Sequence, residues 1–86
     1  MIWKVEFTSL AIKQLSCLDR SIQARIKKDI STKLAQNPDF YLKSLLGDKS
    51  DLCKFCVGNY RLLCKKDGEK LIITVVKVAH RKEVYH

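Results

Sequence analysis

Leu52-Cys53-Lys54-Phe55-Cys56-Val57, then Gly58-Asn59, then Tyr60-Arg61-Leu62-Leu63-Cys64-Lys65-Lys66: this stretch reads as two short strands folded about a turn. Asp67-Gly68 follows as a strong hairpin signal and leads into a third strand over residues 70–78, which is apolar on both faces as a central strand should be. Period-two alternation sorts the side chains. Cys53, Phe55 and Val57 face one way, while Leu52, Lys54 and Cys56 face the other. In the next strand Leu62 and Cys64 suit a core, which leaves Arg61, Leu63 and Lys65 on the opposite side. Lys54 and Arg61 are therefore expected as neighbours on a sheet face that carries no helix.

Working back toward the amino terminus, residues 2–7 alternate and predict a first strand with Trp3, Val5 and Phe7 inward. Thr8 or Ser9 can cap a short helix in which Ala11, Leu15 and Leu18 share a face. Asp19 then caps a second helix, where Ile22, Ile26, Ile30 and Leu34 recur every four residues as a buried stripe. Arg25, Lys27, Lys28 and Lys33 lie off that stripe, on a solvated face. Asn37-Pro38 ends this helix, and residues 41–51 form a connection anchored by Leu45 and Leu46. The order is strand, helix, helix, three-stranded meander. It predicts one α+β domain over residues 1–86, with two helices on one face of a mostly antiparallel sheet.

Seventeen Lys and Arg against nine Asp and Glu leave a net charge of +8, spread over both halves of the chain. On so small a domain that excess points to an acidic partner, nucleic acid above all. No secretory signal is read at residues 1–7, where Lys4 and Glu6 interrupt the apolar pattern, and the apolar run at 71–76 is far too short to span a bilayer. A cytoplasmic protein with reduced cysteines is expected, with no membrane partner. Cys53 and Cys56 form a C-x-x-C, but three residues along a strand put the two sulfurs on opposite faces. Cys17, Cys53, Cys56 and Cys64 are thus expected as core or half-buried thiols, with no metal and no cofactor.

Gly58-Asn59-Tyr60-Arg61-Leu62-Leu63, Leu52-Cys53-Lys54-Phe55-Cys56 and Val78-Ala79-His80-Arg81-Lys82-Glu83-Val84-Tyr85 together resemble the RelE/ParE toxin superfamily, and within it the RelE-like branch. The resemblance spans almost the whole chain, since the element order fits as well. It implies the toxin of a type II toxin–antitoxin pair, an endoribonuclease or mRNA interferase that halts translation by cutting messenger RNA in the ribosomal A site. It further implies a cognate RelB-like antitoxin, with operator DNA reached only through that antitoxin. The ParE branch, which poisons DNA gyrase, shares the fold and is the alternative; a toxin that has lost catalysis but still binds antitoxin is another.

Carried over by position, the resemblance makes Lys54, Arg61, Arg81 and Tyr85 the catalytic set, with RNA contacts from His80, Lys65, Lys77 and Lys82. Cys56 departs from the pattern, because many RelE-like toxins carry a second lysine two residues beyond Lys54. The chemistry fits these side chains. Attack by a 2′-hydroxyl on the adjacent phosphate needs a proton acceptor, a donor for the leaving 5′-oxygen, and cations around the developing charge. A lysine among other cations gives up its proton more readily than one alone and can act as base. Arg61 suits bidentate phosphate contact, Arg81 can support the leaving group, and Tyr85 can stack on a base or hold the substrate in line. His80 is expected to point away from Arg81 along the extended chain. His86 is either a proton-transfer group, as in some related toxins, or merely the chain end. Plain surface roles exist too: Lys54 as an edge-strand guard, and Arg61 and Arg81 as partners of Asp51 or Glu83.

The cysteine reading is directly testable: the purified, reduced protein should hold no stoichiometric zinc. One zinc per chain by elemental analysis would overturn it together with the strand over residues 52–57.

Overall fold

The structure is a computed structural model and describes residues 2–44 and 52–80. Strand β1 (Lys4–Phe7) is followed by α1 (Ser9–Ser16), α2 (Arg20–Asp29), a π-helical turn (Ile30–Leu34) and the one-turn α3 (Pro38–Tyr41). A two-residue strand β2 (Lys43–Ser44) precedes the meander of β3 (Leu52–Val57), β4 (Tyr60–Asp67) and β5 (Ile72–His80). The sheet order is β1-β5-β4-β3-β2, antiparallel throughout except where β1 runs parallel to β5. That parallel pair requires a long crossover, which the helices supply. The expected α+β architecture holds, with α3 added just before, and β2 inside, what reads as a plain connection over residues 41–51.

Thr8 caps α1 as expected, its hydroxyl accepting from the Ala11 N–H at 3.1 Å. Asp19 sits at the start of α2 without a side-chain capping bond. The four-residue recurrence of the isoleucine stripe explains the π turn. Each step of four overshoots an α-helical turn by about 40°, so a stripe of that period would walk around a regular helix. The chain absorbs the drift where the Ala35 N–H donates to the Ile30 carbonyl at 2.8 Å, five residues back. Ile26, Ile30 and Leu34 thereby stay buried, and Ile22 packs partly against them. Pro38 opens α3, where its missing N–H costs nothing, rather than simply stopping α2.

The helices cover one sheet face. Ala11, Leu15, Ile26, Ile30 and Leu34 pack there against Phe55, Val57, Leu62, Cys64, Ile73, Val75 and Val78. A fully buried aliphatic side chain is worth about 1.5–3 kcal/mol, so this layer, more than helix propensity, holds α1 and α2. Trp3, Val5 and Phe7 line the same side from β1, as their alternation predicts.

Two turns set the register of the meander. Gly58 takes φ +58°, and a side chain there would also meet the Arg25 guanidinium, whose Nη1 lies 3.1 Å from the position of a Cβ. At the second turn the hairpin signalled by Asp67-Gly68 forms, but it is longer than expected and extends to Leu71. The Asp67 carboxylate accepts from the Glu69 and Lys70 N–H groups, and the positive φ falls on Leu71 at 55°. Strand β5 therefore starts two residues later than expected and runs on to His80.

Between β4 and β5 the register slips by one: Leu63 opposes Lys77, but Cys64 opposes Val75, so Val76 is an extra residue. Beyond this point β1 has ended, and α1 takes over its role. Thr8 donates its hydroxyl to the Val76 carbonyl at 2.9 Å, and the Gln14 Oε1 accepts from the Val78 N–H at 2.8 Å. A buried backbone donor needs a partner, and Gln14 is the side chain that supplies one.

The cysteines split, which corrects the expectation of four sheltered thiols: Cys64 is buried and Cys53 half-buried, but Cys17 and Cys56 are exposed. α1 ends before Cys17, and Cys56 lies on the helix-free side of β3. Burial pushes the Cys64 thiol from its ordinary 9.0 up to about 12, and Cys53 across the strand pair adds to the rise.

Two outcomes follow for stability. Gln14→Ala leaves the Val78 N–H without its acceptor and should cost about 1–2 kcal/mol in chemical denaturation, whereas Gln14→Glu, which keeps an oxygen there, should cost less. Equal loss in both variants would mean the bond is unimportant. Folding holds Cys64 neutral, so its contribution is complete below pH 9 and is lost as pH climbs toward about 12. Wild-type stability should therefore decline more steeply above pH 9 than that of Cys64→Ala; parallel declines would refute the assignment.

Candidate polyanion-binding face

The side chains left uncovered by helices form rows across the strands. Backbone pairing aligns Lys43, Lys54, Leu63 and Lys77 in one row, from β2 through β3 and β4 to β5. The next row holds Cys56, Arg61 and Ala79, and the row on the other side holds Leu52, Lys65 and Thr74. Adjacent strands lie about 4.8 Å apart. Lys54 thus has Leu63 directly across and both Arg61 and Lys65 on its diagonals, at about 7–8 Å between backbones. The sheet brings together the expected Lys54, Arg61, Lys65 and Lys77.

Lys54 and Arg61 are half-buried, while Lys65 and Lys77 stand exposed. Ala79, only 3% exposed, gives Arg61 a small apolar neighbour and leaves it room. Acidic residues are scarce here. Among the described residues near this face the carboxylates are Glu6, which pairs with Lys4 at 3.8 Å, Asp67, which is engaged in its own turn, and Glu69, which shares a depression with Lys65 and Thr74. All three lie away from Arg61. Among the described residues, the row of Lys43, Lys54 and Lys77 is therefore cationic, which suits a phosphate.

His80 is not brought to this face. It pairs with Tyr60 and follows the parity of Val78, so it lies on the helix side. Its ring meets Tyr60 edge to face with centroids 5.2 Å apart, and both line a cavity of about 380 Å³ with Gln14, Cys17, Leu18 and Val78. Arg81, Lys82, Tyr85 and His86 lie outside the described residues. No group of three or more His, Cys, Asp or Glu among the described residues is placed to hold a metal, and no described helix is long and apolar enough to cross a membrane.

Lys43 escaped the sequence reading. It falls in a stretch with no alternation, and only its pairing as β2 puts it directly opposite Lys54. Together with Tyr41, Phe55 and Cys56 the two lysines line a depression of about 310 Å³ at the sheet edge.

Comparison with known proteins bears on this geometry. The sequence model of one family, described as ParE toxin of type II toxin-antitoxin system, parDE, matches residues 5–85. Among solved structures, the toxin–antitoxin complex RelBE2 of Mycobacterium tuberculosis has a chain 27% identical to this one, with a TM-score of 0.86 over 94% of this chain and 93% of that chain. A chain of the RelB–RelE antitoxin–toxin complex from Methanococcus jannaschii is 29% identical, with a TM-score of 0.68 over 93% and 94%. The isolated E. coli RelE toxin is 25% identical, with a TM-score of 0.75 over 96% and 90%. A search of curated protein sequences gives no match.

Proposed function

The chain belongs to the ParE toxin family of type II toxin–antitoxin systems, and on that footing we propose that it is a messenger RNA endonuclease of the RelE kind. In this reading residues 1–86 act as one toxin domain at the ribosomal A site in the cytoplasm, silenced by a RelB-like antitoxin that alone touches operator DNA. The observation that carries it is the helix-free face on which the strand pairing aligns Lys54, Arg61, Lys65 and Lys77. Chains of solved RelB–RelE complexes share the fold at 27% and 29% identity, which supports an antitoxin partner.

The reaction is cleavage by the substrate's own 2′-hydroxyl, which needs no metal. The oxygen attacks the adjacent phosphorus, the P–O5′ bond breaks, and a cyclic phosphate and a 5′-hydroxyl result. Lys54 takes the 2′ proton, and Arg61 grips the phosphate with two parallel N–H bonds that strengthen as charge builds. Arg81 supports the leaving oxygen and Tyr85 stacks on a base, with His86 a candidate to return the proton. Lys65, Lys77 and Lys82 widen the cationic surface. His80, turned to the helix side beside Tyr60, is left out of it.

A second reading is favoured by the description of the matching family itself: a ParE-type inhibitor of DNA gyrase with no nuclease chemistry. The two part in one comparison. Cleavage of messenger RNA on programmed ribosomes with gyrase supercoiling untouched supports the first; the reverse supports the second.

For the first reading, Arg61→Ala and Arg81→Ala should each abolish growth arrest when the toxin is expressed without its partner. Losing a charge-assisted phosphate contact costs about 1.5–3 kcal/mol, or one to two decades in rate. Wild-type arrest by both folded variants would remove the assigned site.

A further inference from the structure

We propose that Lys43 is a second phosphate-binding lysine of this face, and that the depression at the β2–β3 edge is the subsite for a neighbouring nucleotide. The inference rests on RNA being the ligand of the face, as proposed above. Lys43 and Lys54 are directly opposed in the β2–β3 pair. Like charges in that arrangement destabilise a sheet, and an anion seated between them removes the penalty. The ion pairs among the described residues are Lys4–Glu6, Lys33–Asp29 and Lys66–Asp39, so no described carboxylate neutralises either lysine. Both lysines line one depression of about 310 Å³, together with the aromatic residues Tyr41 and Phe55.

Cys56 gives the arrangement its sense. The position two residues beyond Lys54 carries a thiol instead of a cation, and the second positive charge beside Lys54 comes from the adjacent strand. The pairing row then sets the course of the substrate. Lys43, Lys54 and Lys77 span four strands, about 14 Å at sheet spacing, so the phosphate backbone crosses the strands from β2 to β5. Arg61 flanks that line one row away. A competing role for Lys43, guarding the sheet edge against aggregation, involves no RNA at all.

Fluorescence anisotropy with a labelled 2′-O-methyl RNA of about ten nucleotides separates these possibilities, since the blocked 2′ position prevents cleavage. Binding is measured against salt for the wild type, Lys43→Gln and Lys33→Gln, the last lying on the helix layer and paired with Asp29. Lys43→Gln should flatten the slope of log K against log salt by about 0.7 and weaken binding about fivefold at about 0.1 M salt. Its thermal midpoint at low salt should not fall, because a repulsion has been removed, and Lys33→Gln should match the wild type. Unchanged slope in Lys43→Gln with wild-type RNA binding intact overturns the subsite and leaves the RNA reading standing. An equal flattening in Lys33→Gln overturns it as well, by reducing the effect to overall charge. Wild-type protein without salt-dependent RNA binding overturns both the subsite and the reading beneath it.

Discussion

Backbone pairing along β5 is the constraint on which the rest of the molecule depends. This strand bonds in parallel to β1 on one side and antiparallel to β4 on the other. It therefore fixes both the crossover that carries the helices and the rows that carry the cations. The extra residue at Val76 is decisive within it. Side chains alternate with a period of two, so one inserted residue reverses every face assignment beyond it. Ile73 and Val75 before the bulge, and Val78 after it, all reach the core, while Lys77 and Ala79 fall on the open side.

The meander and the segregation of Lys54 and Arg61 from Phe55, Val57, Leu62 and Cys64 were legible in the sequence, because alternation on strands is a strong and local signal. The parallel docking of β1 was not, since nothing in residues 2–7 names a partner seventy residues away. The shorter β2 was illegible for a different reason. Two residues cannot display a period, and Lys43 becomes part of the face only through its bonds to β3. The Asp67-Gly68 turn misled because a carboxylate that binds two backbone N–H groups can stabilise a longer turn than its dipeptide suggests. Arg81 and Tyr85, named from the basic segment after the last strand and from the resemblance, lie outside the described residues.

The two sheet faces divide stabilisation from recognition. The helix side buries its polar backbone with side-chain help from Thr8 and Gln14 and excludes charge from its core. The open side sets Lys43 directly opposite Lys54, an arrangement of like charges that costs stability.

The way α1 replaces β1 beside β5 has a mechanical consequence. The first half of β5 is clamped between two strands whose hydrogen bonds lie across its length, so a pull along the chain must shear them together. Its last residues, from Val78 on, remain paired with β4 but have no described strand on the outer side, where the Gln14 side chain accepts from the Val78 N–H. Tension applied at the carboxyl end would thus be absorbed at Gln14 before it reached the core. The end of the strand would yield first, together with the Tyr60–His80 and Arg61–Ala79 pairs, while the row of Lys54, Leu63 and Lys77 stays intact.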